Sequence, residues 1–169
     1  MKNVLLPTDF SDNSMVAIEY ALNLFGSKDV KYYILNTYQI PHAGASVLVS
    51  IEDILHEESK KGLEKVEKTI RSYNNGAEAD LEFFAQRGDL PTRANKLCSR
   101  FGLDYIVLGT KGASGLKEIL LGSNAHHIML KACCPVIVVP ERTEIKPTKV
   151  FALSTDISGT SAESISPLL

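Results

Sequence analysis

Short apolar runs alternate with segments of helical spacing, and this alternation constrains the fold more than any other feature of the chain. Apolar runs occur at Val4–Leu6, Tyr105–Leu108 and Val136–Val139. The segment Ser14–Phe25 instead places its apolar residues on one helical face and is closed by Gly26. A βαβα order implies parallel strands with right-handed crossovers, and strands that are apolar throughout need helices on both faces of the sheet. The sequence therefore predicts an α/β fold with a parallel sheet between two helical layers.

The other segments follow the same alternation. A strand is predicted at Lys31–Tyr38, which is rich in Tyr and Ile, and a further strand at Ala79–Gln86. Gln39–Ser50 contains Pro41 and Gly44 and predicts a loop. The remaining predicted helices are Ile51–Tyr73, a helix opened by Asp89 and running to Arg100, and Ala125–Lys131.

Composition limits the possible functions. With 169 residues, of which 44% are hydrophobic, the chain is long enough for one well-buried domain and too short for two ordinary ones. A net charge of -2 gives no electrostatic reason to bind nucleic acid or an anionic membrane. No apolar stretch approaches the roughly 18 residues of a membrane span, so a cytoplasmic protein is expected. Cys98, Cys133 and Cys134 match no metal-ligand spacing and are expected to be reduced core thiols.

A glycine pattern follows the strand that ends at Leu108. It consists of Gly109-Thr-Lys-Gly112, nine further residues, and Gly122-Ser123, after which Ser123 can cap the next helix. Glycines let the backbone approach an anion closely, and the start of a helix supplies amide donors, so the pattern favours a phosphate site. The alternative is a turn that merely connects strand to helix. The chain has neither a P-loop signature nor the Gly-x-Gly-x-x-Gly signature of dinucleotide-binding proteins after its first strand.

Asp9 follows the first predicted strand and is a second candidate for ligand binding. In open α/β sheets, ligands bind beyond the carboxyl ends of the strands where the strand order reverses. Asp9 and the Gly109 loop meet there if the first and fourth strands are neighbours. The alternative, and the commoner role for such a residue, is an N-cap or turn residue before the first helix.

Taken together, these residues resemble the universal stress protein family. The resemblance covers residues 1–140: the opening Val4-Leu-Leu-Pro-Thr-Asp-Phe-Ser11, Gly88-Asp89, the full glycine pattern, and the closing Cys134-Pro-Val-Ile-Val-Val139. It implies a Rossmann-like fold of the adenine nucleotide alpha hydrolase-like type, with five parallel strands and ATP, with or without Mg²⁺, bound at their carboxyl ends.

The resemblance also implies roles for individual residues. Asp9 would face the adenine or ribose, and Thr37 would lie beside the adenine at a position where relatives often have valine. This departure predicts weakened rather than lost binding. The glycine loop would hold the phosphates. The implied nucleotide site consists of Pro7, Thr8, Asp9, Thr37, Gly109, Thr110, Gly112, Gly122, Ser123 and Asn124.

The last predicted strand and the residues that follow it lead to two further expectations. Val136–Val139 is predicted to be an edge strand, and the resemblance implies a homodimer formed through it. Residues 141–148 read as a polar linker, after which Lys149-Val-Phe-Ala-Leu-Ser-Thr-Asp-Ile-Ser158 repeats the pattern of residues 2–11. Residues 149–169 are therefore interpreted as the truncated start of a second universal stress protein repeat, the alternative being chance similarity.

We expect the chain to be an ATP-binding regulatory protein of the stress response, and we do not expect it to be an enzyme. A slow ATP hydrolase is one alternative, although Lys111, Lys117 and Glu118 are the only candidates near the loop for charge stabilisation or metal binding. The other alternative is a nucleotide-independent, dimeric protein-interaction module.

Overall fold

The computed structural model describes residues 1–41, 45–110 and 122–146. Its five strands are β1 (Lys2–Pro7), β2 (Val30–Tyr38), β3 (Asp80–Arg87), β4 (Tyr105–Gly109) and β5 (Val136–Val139). They form one all-parallel sheet in the order β3-β2-β1-β4-β5. The predicted parallel sheet is confirmed, and β1 and β4 are neighbours as the ligand hypothesis requires.

Four helices connect the strands: α1 (Asp12–Phe25), α2 (Ala45–Ser72), α3 (Leu90–Phe101) and α4 (Ser123–Lys131). One buried cluster packs α1 and α2 on one face of the sheet, and it includes Ile18, Leu22 and Ile70. A second cluster packs α3 and α4 on the other face, where Leu97 and Ile128 are buried. Because β1 contributes Val4 and Leu6 to one cluster and Leu5 to the other, the central strand is apolar on both faces.

The start of α2 differs from its prediction. The helix begins at Ala45, whereas the sequence predicted a loop that reached Ser50. The loop was predicted to extend too far beyond Pro41 and Gly44. Residues 45–50 contain no proline or glycine, so a helix can begin immediately after Gly44.

The prediction of three reduced core thiols is wrong for two of them. Cys98 on α3 and Cys133 just after α4 form a disulfide, and their Cα atoms are 6.7 Å apart. Cys133 is also exposed. Cys134 has a free thiol whose pKa is raised to about 11 by burial, which keeps the thiol protonated and unreactive at neutral pH.

Beyond β5, the described chain makes a turn in which Thr143 donates its backbone N–H to the carbonyl of Pro140. The proposed second repeat, residues 149–169, lies outside the described residues, as does the end of the predicted linker. Among the helices that the structure describes, none combines the length and the apolar character needed to cross a membrane.

Candidate functional site: a cavity at the carboxyl ends of β1 and β4

A cavity of about 270 Å³ opens at the carboxyl edge of the sheet, between β1 and β4. This volume lies near the lower end of the range of small-molecule sites. The strand order reverses here, since β2 and β3 extend to one side of β1, and β4 and β5 to the other. The described lining residues are Pro7, Thr8, Asp9, Ser14, Thr37, Leu90, Leu108, Gly109, Thr110, Gly122, Ser123, Asn124 and Ala125.

The turn between β1 and α1 is held by its own side chains. Asp9 Oδ1 accepts hydrogen bonds from the backbone N–H of Ser11 at 3.1 Å and from the Ser11 hydroxyl at 2.6 Å. The hydroxyls of Thr8 and Ser14 are joined at 2.9 Å, and both residues are buried. These bonds fix the direction of the Asp9 carboxylate before any ligand arrives, so binding does not have to order it.

Phe10, within this turn, has a backbone conformation that is uncommon for residues other than glycine. Its φ is +67°, in the left-handed region, and its N–H donates to Thr8 Oγ1 at 3.0 Å. The Phe10 ring lies against α2 at Gly62, where an added Cβ would come within 2.4 Å of the ring. Contact with α2 therefore helps to hold a conformation that costs about 1–3 kcal/mol by itself.

A chain of buried hydrogen bonds supports the same turn from beneath. Ser59 on α2 donates its hydroxyl to Asn36 Oδ1 at 2.6 Å, and Asn36 Nδ2 donates to the Thr8 carbonyl at 2.7 Å. All three residues are buried. Since an unsatisfied buried polar group is costly, this connected chain fixes the end of β1 relative to β2 and α2.

Gly109, at the end of β4, allows close contact with α1. A Cβ at this position would lie 2.7 Å from both Cγ and Oδ1 of the buried Asn13 side chain. The Asn13 amide in turn donates to the carbonyl of Val139 at 3.3 Å. Gly109 does not have a positive φ, so lack of a side chain, and not an unusual backbone angle, is what this position requires.

The two ends of the glycine loop meet at Thr110. The backbone N–H of Gly122 donates to the Thr110 carbonyl at 2.6 Å, and Thr110 N–H donates to the Val139 carbonyl at 3.0 Å. Gly112 and the residues Lys111, Lys117 and Glu118 fall within 111–121, outside the described residues. The described part of the loop thus starts beside β5 and ends beside its own first residues.

The start of α4 differs from its prediction. Gly122, and not Ser123, is the N-cap residue, and no side chain of the described residues caps the helix. The φ and ψ of Gly122 are −66° and 152°, and Ser123 is the first helical residue. An N-cap residue has an extended backbone, which Gly122 has. Ser123 already lies inside the helix and therefore cannot be the N-cap. The helix therefore presents its first amides at the cavity without a side-chain acceptor of its own.

Comparison with known proteins identifies the family. The model of the universal stress protein family matches residues 1–140. The chain belongs to this family.

Individual relatives agree with this assignment. A universal stress protein of Methanocaldococcus jannaschii, MJ0531, is 31% identical over 144 residues, which cover 82% of this chain and 81% of the relative. The structure of MJ0577, from the same organism, superimposes with a TM-score of 0.71 at 24% identity and covers 85% of this chain and 98% of that one. A universal stress protein of Arabidopsis thaliana, solved with AMP bound, gives a TM-score of 0.51 at 16% identity, with 83% and 92% covered.

In this universal stress protein, nine of the ten predicted site residues line the cavity between β1 and β4. The tenth, Gly112, lies outside the described residues. Sequence reasoning missed four lining residues: Ser14, Leu90, Leu108 and Ala125. Leu90 directly follows Asp89, which was predicted to open a helix and not to mark a ligand site. Ser14 and Ala125 each lie in the first turn of a helix beside a predicted site residue, so helical spacing was a usable signal.

The described lining has little formal charge. Asp9 is its one carboxylate, and it contains no lysine or arginine among the residues that the structure describes. Polar donors come from Thr110, Ser123 and Asn124 and from the first amides of α4, while Leu90 and Leu108 supply apolar surface. This combination suits a ligand with a flat apolar part at one end and an anionic group at the other.

Proposed function

We propose that this universal stress protein binds an adenine nucleotide, with ATP as the expected ligand, in the cavity between β1 and β4. The protein would act as a regulatory component of a stress response, with the nucleotide as its signal. The observation that carries the proposal is the convergence of the β1 turn and the start of α4 on one cavity, at the point where the strand order reverses.

The phosphates would lie at the start of α4. Backbone amides at the N-terminus of a helix, together with the positive end of its dipole, favour an anion. Ser123 and Asn124 are both exposed and line the cavity there, so that their side chains add further donors. Since Gly122 provides no side-chain cap, the ligand would satisfy donors at the start of α4 that no side chain of the described residues caps.

The base and ribose would lie at the β1 side. Asp9 accepts hydrogen bonds only through its carboxylate oxygens, which suits a ribose hydroxyl or an exocyclic amine. Thr37 lies near the carboxyl end of β2, and the apolar side chains of Leu90 and Leu108 line the same cavity. The AMP found in the Arabidopsis relative is a ligand of this chemical class.

Calorimetric titration of the full chain with ATP tests the proposal. We expect saturable binding by the wild type and a roughly 100-fold weaker affinity for Gly122→Asp, because two like charges about 5 Å apart repel by about 3 kcal/mol at an effective dielectric constant of about 20. The substitution is compatible with the fold, since the φ of Gly122 is negative and aspartate is a favourable N-cap.

The matched control is Ala77→Asp. Ala77 is exposed and lies just before the amino end of β3, at the opposite edge of the sheet from the cavity. The Ala77→Asp substitution adds the same charge to the chain but places it away from the cavity, so ATP affinity should stay within about twofold of the wild type. Absence of heat with folded wild type, or equal loss of affinity in both variants, would contradict the proposal.

Dimerisation through β5 remains part of the proposal. Val136–Val139 is an edge strand in the described sheet, and three of its four residues are partly exposed. An apolar edge with unpaired backbone groups favours pairing with a second strand. Sedimentation of the wild type against Val138→Lys tests this point; a monomeric wild type at all concentrations would contradict it.

A further inference from the structure

A second pocket lies at the β3 edge of the sheet, away from the proposed nucleotide site. This edge pocket, of about 470 Å³, shares no lining residue with the cavity between β1 and β4. Its polar and charged lining residues are Glu52, Gln86, Arg87, Arg93, Lys96 and Arg100.

Helical spacing brings the cations of the edge pocket together. Arg93, Lys96 and Arg100 occupy positions i, i+3 and i+7 of α3, which share one face of the helix. Arg87 ends β3, the edge strand, and completes the group from the sheet. Four cations from two elements therefore line one pocket.

Nearby carboxylates neutralise only part of this charge. Glu52 is the one carboxylate among the described lining residues, and its Oε2 accepts a hydrogen bond from Arg87 Nη1 at 2.9 Å. Asp89, the closest acidic residue along the chain, caps α3 by accepting the N–H of Thr92 at 2.9 Å. Among the described lining residues, four cations and one carboxylate leave a formal charge of +3, which favours the binding of an anion.

Arg93 gives an independent indication of a missing partner. Its Nε is buried and has no hydrogen-bond partner among the described residues. The guanidinium lies against the backbone of Gly88, where an added Cβ would come within 2.7 Å of this Nε. A buried donor without an acceptor is rare in native proteins, and an acceptor that enters from a ligand would satisfy it.

We propose that the edge pocket binds a small phosphorylated molecule that carries at least two negative charges. Guanidinium groups bind phosphoryl oxygens through paired hydrogen bonds, and three arginines at one pocket favour such a ligand over a neutral one. The volume is that of a small-molecule site rather than of a single monovalent ion. The inference does not depend on the proposed function, because no residue is shared between the two sites.

NMR titration of the ¹⁵N-labelled full chain tests this proposal, with pyrophosphate as the probe and sodium chloride used to hold ionic strength constant. We expect saturable shifts of the amides of Gly88 and Arg93 and of the Arg93 Nε–H. Arg93→Gln should weaken pyrophosphate binding at least tenfold. Arg93→Lys, which keeps the charge but loses Nε, should be intermediate.

Lys68→Gln is the matched control, because Lys68 is exposed on α2 and lies outside the pocket lining. It removes one positive charge and should change the affinity less than twofold. Gly122→Asp should leave the shifts at Gly88 intact, which separates this test from that of the nucleotide site. The proposal fails if the shift changes do not saturate or are confined to Gly109 and Gly122. It also fails if Lys68→Gln weakens pyrophosphate binding as much as Arg93→Gln, or if an acidic peptide produces the shift changes and pyrophosphate does not.

Discussion

Helices α1 and α4 both begin at the cavity between β1 and β4, but their first turns are completed differently. The Ser11 side chain caps α1 by accepting the N–H of Ser14, and Asp12 adds a negative charge in the first turn. α4 begins at Ser123 after the N-cap residue Gly122, with no acidic residue in its first turn and no side-chain cap from the described residues. A capped start has its donors satisfied internally, whereas an uncapped one keeps donors and dipole for an anion. One helix start therefore stabilises the fold, while the other suits a ligand.

The two helices also differ in what holds them to the sheet. α1 buries six residues, including Ile18 and Leu22, whereas α4 buries two, Ala125 and Ile128. The C-terminal end of α4 is held instead by the Cys98–Cys133 disulfide and by a hydrogen bond from Asn95 to the Lys131 carbonyl at 2.8 Å. α4 is thus held mainly at the end far from the cavity, while Ala125 is the buried residue of its first turn.

The largest expected effect comes from breaking the attachment of α4. Replacing both partners, Cys98→Ser with Cys133→Ser, should lower the free energy of unfolding by about 3–4 kcal/mol, the loop-entropy value for a closed loop of this size. The two cysteines are 35 positions apart. Urea unfolding under oxidising conditions measures the loss.

Cys134→Ser is the control, because the Cys134 thiol is free. It should unfold close to the wild type and should lose stability in dithiothreitol as the wild type does. A wild type that is unaffected by dithiothreitol would show that the disulfide does not stabilise α4.

A smaller effect should follow from Asp9→Ala, which removes the acidic group of the capped turn. Nucleotide affinity should fall about 10- to 100-fold, since a hydrogen bond to a charged group contributes about 1.5–3 kcal/mol. Calorimetry with ATP measures the change.

Ser11→Ala separates ligand contact from turn stability. It removes the cap of α1 and should lower the free energy of unfolding by about 1 kcal/mol. Because Ser11 does not line the cavity, ATP affinity should fall less than about fivefold, through looser positioning of Asp9 alone. If Ser11→Ala weakened binding as much as Asp9→Ala, the direct role of Asp9 would be wrong.

Much of the fold was predictable because local patterns agree with it. The all-apolar β4 and β5 required helices on both faces, and Asp89 followed by Leu90-Pro91 marked the start of α3, where Asp89 is indeed the N-cap. Most of the described cavity lining was predictable for a similar reason. Its residues lie at strand ends and helix starts, which sequence signals mark best.

The features that sequence reasoning missed depend on tertiary contact. Cys98 and Cys133 can pair only after α3 and α4 pack side by side, and nothing in their spacing encodes that. The role of Gly109 depends on Asn13, which lies 96 positions earlier in the chain. Phe10 likewise adopts its unusual backbone angle against Gly62, a contact between elements that no local pattern reports.

Thr37→Val should give the smallest effect and tests the base side of the cavity. Thr37 and valine have nearly the same shape, but valine lacks the hydroxyl that is costly to bury beside an adenine ring. ATP affinity should therefore rise about two- to fivefold, and the valine should be tolerated in β2 because β-branched residues suit strands. Thr37→Ser, which keeps the hydroxyl and loses the methyl group, should instead bind more weakly than the wild type. If Thr37→Val weakened binding and Thr37→Ser did not, the hydroxyl would be a ligand contact, and the base end of the cavity would depend on polar recognition as the α4 end does.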